Sequence, residues 1–133
     1  MRRPFFKSGI YYTKTSEWAE PRGECVRVGL DDYSQSALGD IVFIDLPEPD
    51  AIVGAGTPFG SLEATKAVSD INAPVSGRVV RVNRSVADSP AIVNSDPFGE
   101  GWLIEIEPSD PAELNELMDV DTYKAYLKGG ARS

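Results

Sequence analysis

The chain has 133 residues, 41% of them hydrophobic and 26% charged, with a formal net charge of −8 at pH 7. That is one domain, residues 1–133, with apolar material for one core, and its acidity excludes a nucleic-acid partner, whose phosphates need a basic footprint. Histidine is absent altogether, which removes Ser-His-Asp and Cys-His catalysis, histidine-ligated zinc and imidazole acid–base chemistry.

The opening Met1-Arg2-Arg3-Pro4-Phe5-Phe6-Lys7 has the paired arginines of an export signal, but no apolar stretch follows it. No run approaches the roughly 20 apolar residues that span a bilayer. The lone Cys25 needs no oxidising compartment and reads as a small strand or core residue. The expectation is a cytoplasmic monomer without membrane association, with residues 1–8 and 130–133 loosely ordered.

Short apolar runs between 12 glycines and 10 prolines predict many short strands. Cys25 to Leu30 alternates, with Val26, Val28 and Leu30 on one face. Asp31 to Leu38 reads as a short helix capped by Asp31 and stopped by Gly39, with Tyr33, Ala37 and Leu38 facing inward. Ile41 to Leu46 is apolar on both faces except at Asp45, as a central strand would be. Gly39-Asp40-Ile41-Val42-Phe43-Ile44 is echoed by Gly77-Arg78-Val79-Val80-Arg81-Val82, which suggests a two-fold β sandwich. Trp102 to Glu107 alternates as a strand with one wetter face, and Trp18 and Trp102 read as core or edge packing.

The pattern then changes period, dividing a β core over about 12–108 from a helical segment over about 110–128. Asp110-Pro111-Ala112-Glu113 fits a capped helix start, followed by a stripe of Leu114, Leu117 and Met118. A second short helix is expected from about Asp121, with Tyr123, Tyr126 and Leu127 inward and Gly129-Gly130 as its stop.

Between the echoed halves stands Lys66, the only lysine between Lys14 and Lys124. A strand-like segment precedes it and a Pro-then-Gly segment follows, the outline of a hairpin with one amine at its tip. An amine presented in this way suits a carrier, whose arm must be long, exposed and tied at a stiff point. The alternative is an ordinary solvated lysine. An enzyme built on Cys25 or on a carboxylate pair lacks any base–nucleophile constellation.

Three stretches carry a resemblance: Leu38 to Pro47, Gly60 through Lys66 to Gly77, and Asn94 to Leu103. Together they closely resemble the glycine cleavage system H protein family, over nearly the whole chain. The resemblance implies a mainly β, lipoyl-type barrel-sandwich hybrid with short peripheral and C-terminal helices, and lipoate carried covalently on Lys66. A lipoyl-lysine arm would reach on the order of 12–15 Å. Biotin carriers place their lysine between methionines; here Thr65 and Ala67 stand there. The implied partners are glycine decarboxylase, aminomethyltransferase, dihydrolipoamide dehydrogenase and a lipoate-attaching enzyme that reads Glu63.

The family's arm-sheltering cleft maps to Thr15, Glu17 and Asp70, where a carboxylate pair would suit a cationic aminomethyl group. Ser16 stands where the family commonly has histidine, and Tyr33 where it often has Asp or His. These departures keep an alternative open: an H-like lipoate-binding protein carrying sulfur intermediates beside a heterodisulfide-reductase-like complex.

Overall fold

Alternating β-branched residues decide the architecture, because they can bury one strand face only by stacking two sheets. The computed structural model describes residues 5–129. Its strands are β1 Tyr11–Tyr12, β2 Glu17–Arg22, β3 Cys25–Leu30, β4 Ile41–Asp45, β5 Ile52–Val53, β6 Pro58–Ala64, β7 Val68–Asn72, β8 Gly77–Val82 and β9 Ile104–Pro108. Helices α1 Asp32–Leu38, α2 Arg84–Asp88, α3 Ala91–Ser95 and α4 Val120–Gly129 are peripheral, joined by a 3₁₀ turn over Pro111–Glu116.

One sheet runs β1-β2-β3-β9-β8-β5 and the other β4-β6-β7, with neighbours antiparallel throughout. Val26, Val28, Leu30, Val79, Ile104 and Ile106 from the larger sheet share a core with Ile41, Ile44, Leu62 and Ile71 from the smaller. The mainly β sandwich expected from the sequence is present, without a closed barrel among the described residues. The echoed segments become β4 and β8, one in each sheet. No helix of the described residues is long and apolar enough to cross a membrane.

A second, aromatic cluster sits where the C-terminal segment folds back, around Tyr12, Trp18, Trp102 and Tyr123, with Phe6, Met118, Tyr126 and Leu127 against it. Tyr12 and Tyr123 stack at 4.5 Å between centroids. The inward face expected for the last helix is therefore found. Residues 5–8 are not loose. The Phe5 amide donates to Asp32 Oδ2 at 2.6 Å, and Phe6 packs edge-on against Tyr123. Residues 1–4 and 130–133, expected to be loose as well, lie outside the described residues, as does Gly130 of the expected Gly-Gly stop.

Several expectations need correction. In α1 Tyr33 and Ala37 are exposed, and the buried residues are Asp32 and Gln35, held in a polar network. β4 is an edge strand, not a central one; a register shift between Ile41 and Phe43 turns Val42 and Phe43 to solvent, 60% and 54% exposed. Glu105, expected on a wetter face, is buried with its charge shared by Arg27 (2.9 Å) and Arg81 (3.1 Å), both guanidinia lying over the Trp102 ring. The segment after Asp110 is 3₁₀, with Asp110 accepting from the Ala112 amide. Glu113 leaves the helix start and accepts instead from the Ser76 amide (2.7 Å) and hydroxyl (3.1 Å).

Gly29 faces Trp18 across β2 and β3, and a Cβ there would lie 2.6 Å from the indole. The indole is buried and donates to the Pro97 carbonyl at 3.0 Å, so it has nowhere to retreat. Gly29→Ala should cost about 2–3 kcal/mol of stability, read as a lower urea midpoint together with a shifted tryptophan emission.

Candidate functional site: a lysine at a docked hairpin tip

β6 and β7 pair from Pro58↔Asn72 to Glu63↔Val68, and the Ala64 amide donates to the Ala67 carbonyl at 2.8 Å, leaving Thr65 and Lys66 as the tip. Two-residue hairpin tips usually need a positive φ at one or both positions to match strand twist. Among the described residues the non-glycines with positive φ are Ser16 and Asp50, so Thr65 and Lys66 have none. The tip is held from outside instead. The Thr65 amide donates to the Asp40 carbonyl at 2.9 Å and the Lys66 amide to the Leu38 carbonyl at 3.2 Å.

Those carbonyls flank Gly39, the residue that ends α1. Its φ of 82° and ψ of −159° lie in a region that side chains avoid. A Cβ there would also meet Thr65 Oγ1 at 2.5 Å and the Lys66 stem at 3.5 Å. The lysine stem thus leaves the surface against a bare backbone corner, and its side chain is exposed. Sequence reading found the lysine but missed this corner; a glycine between a helix and a strand was the available signal.

Phe43, Glu63 and Val68 are register partners across β4, β6 and β7, so their side chains form one row beside the tip. Val68 is 76% exposed, and Glu63 is exposed between the two apolar groups. One step down the same face comes the row Asp45, Ser61 and Asp70, with both acids exposed.

The structure brings Thr15 and Glu17 together but not as a surface pair. Glu17 is 1% exposed. Its Oε1 accepts from Thr13 (2.6 Å) and Thr15 (2.5 Å), and its Oε2 accepts from the Asn72 amide at 3.0 Å. Burial pushes its carboxyl up, against the pull of those hydrogen bonds. Asp70 is exposed on β7 and, among the described residues, makes no side-chain bond to either. An open cleft of about 390 Å³ lies between the Thr13–Thr15 turn, Asn72–Pro74 and the stretch from Glu116 to Met118 that leaves the 3₁₀ turn; Thr15 lines it, whereas Glu17 is buried. The described residues hold no cluster suited to a metal ion.

Behind the corner, Asp31 caps α1 by accepting from the Ser34 amide at 2.7 Å. Its other oxygen accepts from the Tyr123 hydroxyl, which also shares a 2.8 Å hydrogen bond with Ser16 Oγ. Burial pushes the Asp31 carboxyl up to about 6; the Tyr123 and Ser34 bonds oppose the rise, and the Glu17 and Asp32 charges add to it. Burial and the Asp31 charge also raise the Tyr123 hydroxyl's pKa.

The family model described as glycine cleavage H-protein matches residues 10–130. The chain belongs to that family. A glycine cleavage system H protein of Anaeromyxobacter sp. (strain K) is 47% identical over 119 residues, covering 90% of this chain and 93% of the relative. One from Thermus thermophilus is 46% identical over 121 residues, covering 91% and 94%. The crystal structure of a glycine cleavage system H protein from Mycobacterium marinum superposes with a TM-score of 0.85 at 37% identity, covering 92% of this chain and 99% of that one. As a family member the chain is a lipoyl carrier of the glycine cleavage system, with lipoate on a lysine, and not itself a catalyst. Nothing among these relatives supports the sulfur-oxidation alternative.

Two outcomes follow from the corner and its cap. Gly39→Ala should cost about 1–3 kcal/mol in urea unfolding and slow lipoate attachment to the chain. The Asp31 carboxyl, raised in the fold, stabilises it most below the ordinary aspartate pKa, and that contribution is lost as pH climbs from about 4 through about 6. Asp31→Asn keeps the cap and should flatten the fall in unfolding free energy over that window by on the order of 2–3 kcal/mol.

Proposed function

We propose that Lys66 is the lipoyl tether, and that the loaded arm passes an aminomethyl group from glycine decarboxylase to aminomethyltransferase before reoxidation by dihydrolipoamide dehydrogenase. The observation that supports it most is the placement of an exposed lysine on a tip whose backbone is fixed at Thr65 and Lys66. A tether must be free at its end and immobile at its root, because a fixed root confines the swing to a defined sphere. The group supplies a dithiolane that can be reduced and can hold the transferred carbon; the chain supplies reach and direction.

The roles of the neighbouring residues follow from their burial. Glu63, exposed beside the tip between Phe43 and Val68, is the acid that a lipoate-attaching enzyme would read. The cleft beside Thr15 would shelter the loaded arm, with Thr15 at its wall. Glu17 contributes by fixing Thr15 and Asn72 rather than by meeting the amine, since both its oxygens are engaged. Asp70, exposed, is the carboxylate free to pair with an aminomethyl cation. The proposed compartment is the cytoplasm, where an unpaired Cys25 is at home.

The test is intact mass spectrometry after incubation with lipoate and an attaching enzyme. A gain of about 188 Da, the mass of a lipoyl amide, should map to Lys66. Lys66→Arg should fold normally, gain no mass and support no glycine-dependent release of carbon dioxide with the three partners. A gain mapping to another lysine would overturn the assignment.

A further inference from the structure

The stretch Asn94 to Leu103 carries much of the family resemblance, yet it lies far in sequence from the lysine. Asn94 stands in the last turn of α3, and its side chain reaches the corner on which the lysine tip rests. Its Nδ2 donates to the Gly39 carbonyl at 2.9 Å and to Gln35 Oε1 at 2.8 Å, while its Oδ1 accepts from the Ile41 amide at 2.9 Å. Both donors and the acceptor of the amide are therefore engaged. Gln35 is itself held, donating to Asp32 Oδ1 at 2.6 Å and to Ser36 Oγ at 3.0 Å.

The spans that Asn94 fixes interleave with those that hold the tip. Leu38 and Asp40 offer their carbonyls to Lys66 and Thr65, and Asn94 ties Gly39 between them and Ile41 just beyond. Gly39 has a glycine's freedom, so the direction of the Leu38 and Asp40 carbonyls depends on what restrains it. The Thr-Lys tip lacks a self-sufficient turn conformation and takes its geometry from those carbonyls. We infer that Asn94 is a positioning residue for the tether: it fixes the Gly39 corner so that the tip is already ordered when an enzyme of lipoate attachment meets it. The inference rests on Lys66 as the tether and adds a residue from a distant segment.

Without Asn94 the tip would spend part of its time undocked, and the attaching enzyme would meet the competent form less often. Apparent affinity falls in proportion to the competent fraction. Asn94→Ala should raise the KM for lipoate attachment about ten-fold with kcat little changed. In the unmodified chain the Thr65 and Lys66 amides should exchange with solvent about ten-fold faster, while the Val28 and Ile104 amides in the central strands keep their protection. Ile106→Val, a core variant that touches none of this, should shift global stability and leave the tip amides and KM alone.

If Asn94→Ala does not fold, Asn94→Asp keeps an acceptor for Ile41 but sets a carboxylate against the Gly39 carbonyl, and it should show the same selective loss. Unchanged tip exchange and unchanged KM in the folded variant would overturn the inference, as would a loss of protection spread evenly over tip and core. The exchange measurement needs no lipoate. A wild-type chain that gains no mass at Lys66 would therefore sink the tether assignment while leaving Asn94's hold on the tip to be decided separately.

Discussion

The structure turns on two main-chain hydrogen bonds, from the Thr65 and Lys66 amides to the Asp40 and Leu38 carbonyls. A hairpin tip of Thr and Lys has no strong conformational preference of its own, and a mobile tip would add its own disorder to that of a long arm. Docking the tip on a neighbouring corner separates the two motions. The backbone of the tip is held, and the lysine side chain stands exposed beyond it. The larger sheet contributes from beneath, sharing a buried apolar core with the smaller sheet, against which Leu38 of α1 packs.

Support for that corner reaches back through polar contacts to the end of the chain. α1 is capped by Asp31, whose carboxylate meets Tyr123 of α4, and Tyr123 stacks on Tyr12 and bonds Ser16. The C-terminal helix is thereby coupled to the start of the helix whose other end carries the corner. Buried carboxylates are costly unless their oxygens are satisfied. Here Asp31 and Glu17 each take hydrogen bonds at both oxygens, which explains why so acidic a chain can hold them inside. Ser16, at φ 73° with its hydroxyl on Tyr123, belongs to this support and not to the lysine's surroundings.

Much of this was legible in the residues. The alternation in β3, the Asp31 cap and Gly39 stop of α1, and the isolation of Lys66 between two β-rich halves were all local signals. What escaped was non-local. The bulge that exposes Val42 and Phe43 depends on pairing with β6, and a run of apolar residues reads the same in an edge or a central strand. Gln35 is buried because Asn94 meets it from 59 residues away, so the helix faces its polar side inward and leaves Tyr33 in water. Glu17 looked like a surface acid until the turn from Thr13 to Thr15 closed over it. The resemblance grouped Glu17 with Asp70, and only the fold separated them, one acid buried beneath a turn and the other exposed on β7.

The hold that Glu17 keeps on the Asn72 amide also bears on self-association. The smaller sheet is an open ribbon whose two margins, β4 and β7, would invite a strand from another copy. At β7 a carboxylate already occupies an amide that an incoming strand would use, and at β4 the bulge breaks the spacing that such a strand would need to follow. Each margin of the smaller sheet therefore offers a second strand an interrupted ladder, one by an amide already taken and the other by a broken register.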